Sequence, residues 1–465
     1  MSHHVFNALI LAAGKGTRMN SMRPKLLQPL AGRPMLSLLL DTLKQLNIHS
    51  SAVIYGYLGE QLQAEISSDY PHLHWFEQKE QLGTAHAVIQ ALPFLQSEAI
   101  TLILLGDCPL LTVNTLNALL TQAEKTGAAL LTANFADPSG YGRIVRDVQD
   151  NVVAIVEHKD ATDEQRKIQE INTGVMAINN ALLREYLPQI DNKNAQKEYY
   201  LTDLIALLSD NGWQVSALLA ENEEETLGIN NRAQLAQAEA VYRKRQAQQL
   251  LAVGVTLIDP ARIDVHGQIS VGHDVLIEPN VFFKGKVVLG NHVHIGAGSV
   301  LIDCELGDNV RVQPMSMIEK SQIAADAEIG PYARIRPNTQ LKRATKIGNF
   351  VEIKASIVDE GSKVNHLSYI GDAIIGKNVN IGAGTITCNY DGVNKYRTEI
   401  GNQVFVGSNT ALVAPLRLGD RVTIGAGSVI TQNISADSLA FTRADLQEKP
   451  DWLSPIKKKT NQNKS

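Results

Sequence analysis

Two structural classes follow one another along this chain: an α/β domain with a largely parallel sheet, then a parallel β-helix of six-residue repeats. Three observations predict that order. Before Gly228, short apolar runs alternate with longer amphipathic stretches, the rhythm of strands and helices wound into one sheet. From Asn231 to Gly254, NRAQLAQAEAVYRKRQAQQLLAVG is rich in Ala, Gln, Leu and Arg, lacks proline and spaces its apolar residues as a helix does. Beyond Gly254 an Ile, Val or Leu returns about every six residues and is often followed by glycine. The expected organisation is an α/β domain at 1–230, a linker helix at 231–252, a β-helix at 253–440 and a tail at 441–465.

With 465 residues the chain exceeds one ordinary core. A net charge of −5, from 43 basic and 48 acidic residues, supplies no general field for nucleic acid or an acidic membrane surface. Cys108, Cys304 and Cys388 stand far apart without a CxxC pair, which argues against a disulfide framework or a cysteine-built zinc site. The start, MSHHVFNALILAAG, has no basic leader region, and no run approaches the ~20 apolar residues of a membrane span. A cytoplasmic protein without membrane insertion is expected.

In the first domain the apolar runs 8–12, 52–55 and 101–105 read as strands. Leu11-Ala12-Ala13-Gly14-Lys15-Gly16-Thr17-Arg18-Met19, followed by Pro24-Lys25, places a small, cationic loop directly after the first of them. Small residues let backbone N–H groups approach phosphates, and Lys15, Arg18 and Lys25 can neutralise charge developing in phosphoryl transfer. The spacing is not a P-loop, and Met19 takes the sixth place of a dinucleotide fingerprint. Gly106-Asp107 puts a carboxylate at the end of the run 101–105, where α/β sheets bind ligands and Mg²⁺ would find an oxygen.

In the second domain the pairs Val271-Gly272, Leu289-Gly290, Ile295-Gly296 and Leu306-Gly307 begin a series that runs to Ile424-Gly425. Six residues suit one short strand and one turn, with the aliphatic side chain pointing inward. Three such faces close a triangular coil whose rungs stack at the ~4.8 Å strand spacing. An ordinary β-sandwich would space its strands more widely and less regularly. Two stretches, 361–368 and 387–398, interrupt the beat and are expected to leave the coil as loops. The first carries His366, a side chain suited to taking a proton near neutrality. The end of the chain, DWLSPIKKKTNQNKS, reads as a solvated basic tail.

Together, LAAGKGTRM, Pro24-Lys25, Gln78 with Gly83-Thr84, Gly106-Asp107, Tyr141-Gly142-Arg143, Glu157-His158-Lys159, Asn172-Thr173-Gly174 and Gly228-Ile229-Asn230-Asn231 resemble the sugar nucleotidyltransferases. With the hexapeptide half attached, the resemblance narrows to the bacterial bifunctional N-acetylglucosamine-1-phosphate uridyltransferase/glucosamine-1-phosphate acetyltransferases, over essentially the whole chain. It implies a Rossmann-like nucleotidyltransferase domain joined by a long helix to a left-handed β-helix, usually trimeric. The handedness rests on the resemblance, since general rules for β-crossovers favour the right-handed form.

Residue by residue, the resemblance implies that Leu11, Ala12, Ala13, Gly14, Gln78, Gly83 and Thr84 hold UTP, with Gln78 on the uracil edge. Arg18 and Lys25 would face the phosphates and act catalytically. Gly106, Gly142, Glu157 and Asn172 would complete the nucleotide-sugar site, and Asp107 and Asn230 would bind Mg²⁺. In the second half His366 would be the catalytic base, and Arg336, Lys354, Tyr369 and Asn380 would hold glucosamine 1-phosphate. Ala383, Asn389, Tyr390, Ser408, Ala426 and Arg443 would contact acetyl-coenzyme A, at sites shared between subunits of a homotrimer. N-acetylglucosamine 1-phosphate would pass from the second site to the first, with no nucleic-acid partner. Leu105, where some relatives carry Tyr, and Lys197, within the usual Asn-Ala-Gln-Gly-Glu-Tyr-Tyr pattern, depart from the family. A single-activity nucleotidyltransferase with a structural or regulatory β-helix is the alternative.

Overall fold

The computed structural model describes residues 5–96 and 98–452, so the basic tail expected at the end of the chain lies largely outside the described residues. The chain divides into two units, Met1–Gln246 and Ala247–Ser465.

The run of aliphatic residues in Val5–Ala12 can be satisfied only if both faces of its strand are covered, and Ala8, Leu9 and Ile10 are wholly buried. It pairs in parallel with Ser50–Tyr55 on one side and Ala99–Leu105 on the other. The path through the sheet runs Ser216–Leu219, Ala128–Asn134, Glu170–Asn179, Ala99–Leu105, Val5–Ala12, Ser50–Tyr55 and His74–Glu77. The sheet is mixed, because Glu170–Asn179 runs antiparallel to both neighbours. That strand returns from the hairpin of Arg143–Arg146 and Val152–Val156, whose first strand pairs with it at Ile171. The reversal carries Asn172 and Gly174 to the sheet edge at which Leu11 and Leu105 end, aligned as register partners.

The helix Arg232–Ala252 closes the first unit and opens the second. Ala238 and Val241 lie in the core of the first unit, and Arg245 donates to Leu110 O within it. Ala247 and Leu250 belong to the core of the second.

That second core is a column of aliphatic side chains inside a parallel coil. Ile277, Ile295, Val312, Ile329, Ile347, Val364, Ile381, Val406 and Ile424 succeed one another in register, all buried. Equivalent polar residues on neighbouring coils are 16 to 18 positions apart, and the spacing widens to 25 across the coil that carries the second interruption, as between Lys377 and Asn402. Most corners turn at one residue of positive φ, such as Asp274, His292, Asn309 and Asp326 in one column. Asn and Asp accept that conformation at modest cost and link the corners sideways, as Asn309 does to Asp326 Oδ1 at 3.0 Å.

This regularity corrects one sequence expectation. Residues 361–368 do not leave the coil: Lys363–His366 is an ordinary strand paired on both sides, with Val364 buried where the expected aliphatic-glycine pair is replaced by Val-Asn. Inward packing needs the aliphatic side chain, whereas the following glycine is dispensable. The second interruption does leave the coil, between Thr387 and Thr398, turned by an antiparallel bridge of Tyr390 and Lys395.

Candidate functional site

Two polar constellations stand out, one in each unit. In the first, the strand-end loops close around adjoining cavities of about 480 and 340 Å³, both lined by Leu11, Thr84, Leu105 and Asp107. The larger also takes Ala12, Ala13, Gly14, Lys15, Lys25, Gln78 and Gly83. The smaller takes Arg18, Gly142, Glu157, Asn172 and Asn230. Asp107 therefore stands where two bound molecules would meet.

The local backbone explains these placements. Gly16 has φ +60°, and a Cβ there would come 2.8 Å from Lys25 Cβ, so glycine lets the loop close on the lysine. Gly106 donates to Leu11 O at 3.0 Å, fixing Asp107 beside the first strand. Gly83, at φ +119°, lies so close to the Tyr199 backbone that a Cβ would be 2.5 Å from its carbonyl oxygen. Asn172 N–H donates to Gly142 O at 2.9 Å, which holds those two together, and Glu157 accepts from Thr202 Oγ1 at 3.2 Å. Burial pushes the Glu157 carboxyl upward from its ordinary range. Burial, with Asp107 beside it, also pushes the Cys108 thiol well up, making it an inert neighbour rather than a nucleophile.

The centre of charge is a three-residue contact. Lys25 Nζ lies 2.5 Å from Asp107 Oδ2 and 3.1 Å from Asn230 Oδ1, with the Lys25 and Asp107 side chains only 12% and 14% exposed. Ile229 N–H donates to Asp107 O at 2.9 Å, which docks the Asn230 turn against the strand end. Two hard oxygen donors already converge on a cation, and that donor set fits a divalent metal of the Mg²⁺ kind. Among the described residues no three His, Cys, Asp or Glu side chains gather for a metal, so remaining ligands would come from phosphate or water.

The departures at Leu105 and Lys197 also acquire positions. Leu105 packs on Gly174, where an added Cβ would meet it at 2.5 Å, and lines both cavities. Lys197 adopts φ +55° in the turn where the family pattern has glycine.

In the second unit His366 ends its strand opposite Asn349, and its Nδ1 lies 2.8 Å from Asn349 Oδ1. With that nitrogen donating, Nε2 carries the lone pair. The next face of the coil carries Tyr369, in register with Glu352, while Lys354 faces Gly371. Arg336 is one coil away and bonds to Glu352 Oε1 at 2.7 Å. Lys354 Nζ is 3.6 Å from Asp372 Oδ2, which also accepts from Asn389 Nδ2 at 2.5 Å. Gly371 is required there, since a Cβ would meet Tyr369 Oη at 2.4 Å and Asn389 Nδ2 at 2.9 Å. Arg336, Lys354, Tyr369 and Asn389 are thus gathered on one face, while Asn380 belongs to the face of His366.

Ala383, Ser408 and Ala426 climb one corner of successive coils: Asn409 N–H donates to Ala383 O at 2.7 Å and Gly427 N–H to Ser408 O at 2.8 Å. A Cβ on Gly425 would lie 3.2 Å from Arg443 Nη2, which puts that guanidinium at the same end. Tyr390 sits on the excursion with its hydroxyl on Gly392 O, 60% exposed. A separate groove of about 730 Å³, lined by Lys286, Asp303, Lys320 and Gln340 among others, contains none of these side chains.

Sequence reasoning passed over Thr202, Asn349 and Asp372, each of which holds an expected site residue. The repeat period alone could have found Asn349, 17 positions before His366 and therefore beside it. Asp372, 17 positions before Asn389, carries the same signal, and Thr202 carries none.

Comparison with known proteins gives a family for each unit. Residues 8–252 match the family model of the MobA-like NTP transferase domain. Residues 269–302 and 397–432 match the bacterial transferase hexapeptide repeat, which assigns the coil to the left-handed β-helices, and 317–414 match the GMPPB C-terminal domain. Over full length the chain is 51% identical to the bifunctional protein GlmU of Dichelobacter nodosus, covering 100% of both chains. It is 49% identical to that of Marinobacter nauticus and 48% to that of Acinetobacter baylyi, in each case over 97% of this chain and 99% of the relative.

Proposed function

The chain belongs to the family of bifunctional GlmU proteins, and on that premise we propose that it makes UDP-N-acetylglucosamine in two steps at two separate sites. In the first step the β-helix unit transfers acetyl from acetyl-coenzyme A to glucosamine 1-phosphate. Arg336 and Lys354 hold the phosphate as fork and point charge, with Tyr369 beside them and Asn380 reaching the sugar from the face of His366. His366 Nε2 takes a proton as the sugar amine attacks the thioester carbonyl, and coenzyme A leaves as the thiol. Asn349 keeps the ring in the tautomer that can do this, and Asn389, anchored on Asp372, faces the reacting groups. Coenzyme A follows the corner of Ala383, Ser408 and Ala426 toward Arg443, with Tyr390 covering it and Ser408 available to the oxyanion.

In the second step the N-terminal unit transfers uridylyl. UTP occupies the cavity of residues 11–14, Gln78, Gly83 and Thr84. N-acetylglucosamine 1-phosphate occupies the cavity of Gly142, Glu157 and Asn172. The sugar phosphate oxygen attacks the α-phosphorus and pyrophosphate leaves. No protein nucleophile takes part; Arg18 and Lys25 stabilise charge and align the reactants. Asp107 and Asn230 would hold Mg²⁺, which when bound adds positive charge at the phosphate oxygens.

The observation that carries this function is the meeting of two cavities at Asp107, Lys25 and Asn230, as transfer between two bound phosphates demands. We place both steps in the cytoplasm and the acetyl-transfer sites between copies in a homotrimer. Among the described residues no helix is long and apolar enough to cross a membrane. Incubation with glucosamine 1-phosphate, acetyl-coenzyme A, UTP and Mg²⁺ should yield UDP-N-acetylglucosamine. Uridylyl transfer without acetyl transfer would favour the single-activity alternative, and neither activity would overturn the proposal.

A further inference from the structure

Gln78 is 3% exposed, lines the larger N-terminal cavity and is fixed at its backbone by an N–H bond to Tyr55 O at 2.8 Å. Its side-chain amide nitrogen lies 3.0 Å from Gly83 O and 3.1 Å from His86 Nδ1. Both amide hydrogens are engaged by that pair. Oε1 has no protein partner among the described residues and is not among the buried unpartnered atoms. It is the one polar atom that the Gln78 side chain has left to offer a ligand.

The arrangement depends on which nitrogen of His86 carries the proton. A neutral imidazole accepts at one nitrogen and donates at the other. On the far side of the ring, Gln90 Nε2 lies 3.1 Å from His86 Nε2 and 3.1 Å from His86 O, so amide nitrogens flank both ring nitrogens. Both cannot donate to the ring; one amide must turn its oxygen to it. Gln90 also faces a carbonyl, His86 O, but it is partly exposed and can swing its amide off that carbonyl as it turns, leaving its N–H groups to water. Gln78 is sealed in and would bring Oε1 against Gly83 O if it turned. Gln90 therefore yields, the ring proton sits on Nε2, and Nδ1 accepts from Gln78.

We infer that His86, as the neutral Nε2–H tautomer, is a specificity-determining positioning residue: by engaging the Gln78 amide nitrogen it turns Oε1 toward the nucleotide base. The inference rests on the assignment of this cavity to UTP. Uracil carries a hydrogen on N3 and meets Oε1 as donor to acceptor. Cytosine has a lone pair on N3 and would oppose one acceptor to another in a buried place, a mismatch that a built hydrogen-bonding site rejects strongly. His86 does not line the cavity, so its effect passes through Gln78.

The test compares kcat/KM for UTP and CTP in uridylyl transfer, with acetyl transfer on the same preparations as a control. His86→Leu frees the Gln78 amide to turn and should lower the UTP-over-CTP preference about tenfold or more, with acetyl transfer unchanged. His86→Gln supplies a side-chain oxygen that can accept the Gln78 N–H and should restore most of the preference. Gln78→Ala should abolish the preference. If His86→Leu keeps the wild-type ratio while Gln78→Ala loses it, the role of His86 is overturned and the UTP assignment survives. If His86→Leu and His86→Gln lower the ratio equally, the acceptor role is overturned. If Gln78→Ala itself keeps the ratio, the placement of the base against Gln78 fails.

Discussion

Asp107→Asn changes one oxygen to nitrogen and removes one charge from the point where the two N-terminal cavities meet. In the wild type the carboxylate lies 2.5 Å from Lys25 Nζ, with both side chains largely withdrawn from water. After substitution the ammonium keeps Asn230 Oδ1 at 3.1 Å and can take the new amide oxygen, so a hydrogen bond between opposite charges becomes one between a charge and a neutral amide. The difference between those classes is about 1–2 kcal/mol, a small loss of stability for a unit of this size. Catalysis should suffer more. The substitution removes the only carboxylate of the three-residue contact and with it most of the site's hold on a divalent cation. Losing one preorganised electrostatic contributor at a transition state typically costs ~3–4 kcal/mol, or about 10²–10³ in rate. Uridylyl transfer, followed by pyrophosphate release across a Mg²⁺ titration, should fall by at least about 10²-fold and recover in part at high Mg²⁺. Acetyl transfer should not change. Pyrophosphate release within tenfold of wild type at every Mg²⁺ concentration, from a folded protein, would refute the placement of the metal; equal loss of both activities would refute independent sites.

Three further outcomes are expected. His366→Ala should lower acetyl transfer by about 10²–10⁴-fold, as removal of a general base does, while pyrophosphate release stays at the wild-type rate. Lys197→Gly relieves a lysine held at φ +55°, worth about 1–2 kcal/mol, against about 0.5–1 kcal/mol of added chain entropy. The melting temperature should hold or rise, and a lowered one would show that the turn is not strained. Burial pushes the Asp203 carboxyl up to about 6 in the folded protein, above its ordinary value of 3.8. The unfolded chain therefore gives up this proton first, and stability falls as pH rises from about 4 to about 6, then levels. Asp203→Asn should flatten that segment of a stability-against-pH curve, and an unchanged slope would contradict the burial.

Much of the site was legible because its chemistry is written in short spans. Leu11 to Gly14, Arg18 and Lys25 belong to one strand-loop motif, and glycines such as Gly83 mark places where no Cβ fits. Asn230 was legible only through resemblance. It is joined to Lys25 across 205 positions, and nothing in its local sequence says that the turn docks on Asp107 O. The stretch around His366 was misread as a loop because the aliphatic-glycine signature lapsed there, although inward packing of Val364 continued the coil.

The sequence by itself determined the change of class near Gly254, because a six-residue aliphatic beat can bury its side chains only inside a narrow coil. It also determined the chemical kinds of group available: small residues and cations at the first strand end, and one histidine within the repeats at 361–369. Tertiary structure alone decided the antiparallel course of Glu170–Asn179, the regular coil at His366 and the pairing of that histidine with Asn349. It also decided the orientation of Gln78 between Gly83 and His86. Periodicity reports which side chains must leave water. Hydrogen-bond partners follow from which strands lie side by side and which end of an amide faces a fixed carbonyl, and those relations exist only once the chain has closed on itself.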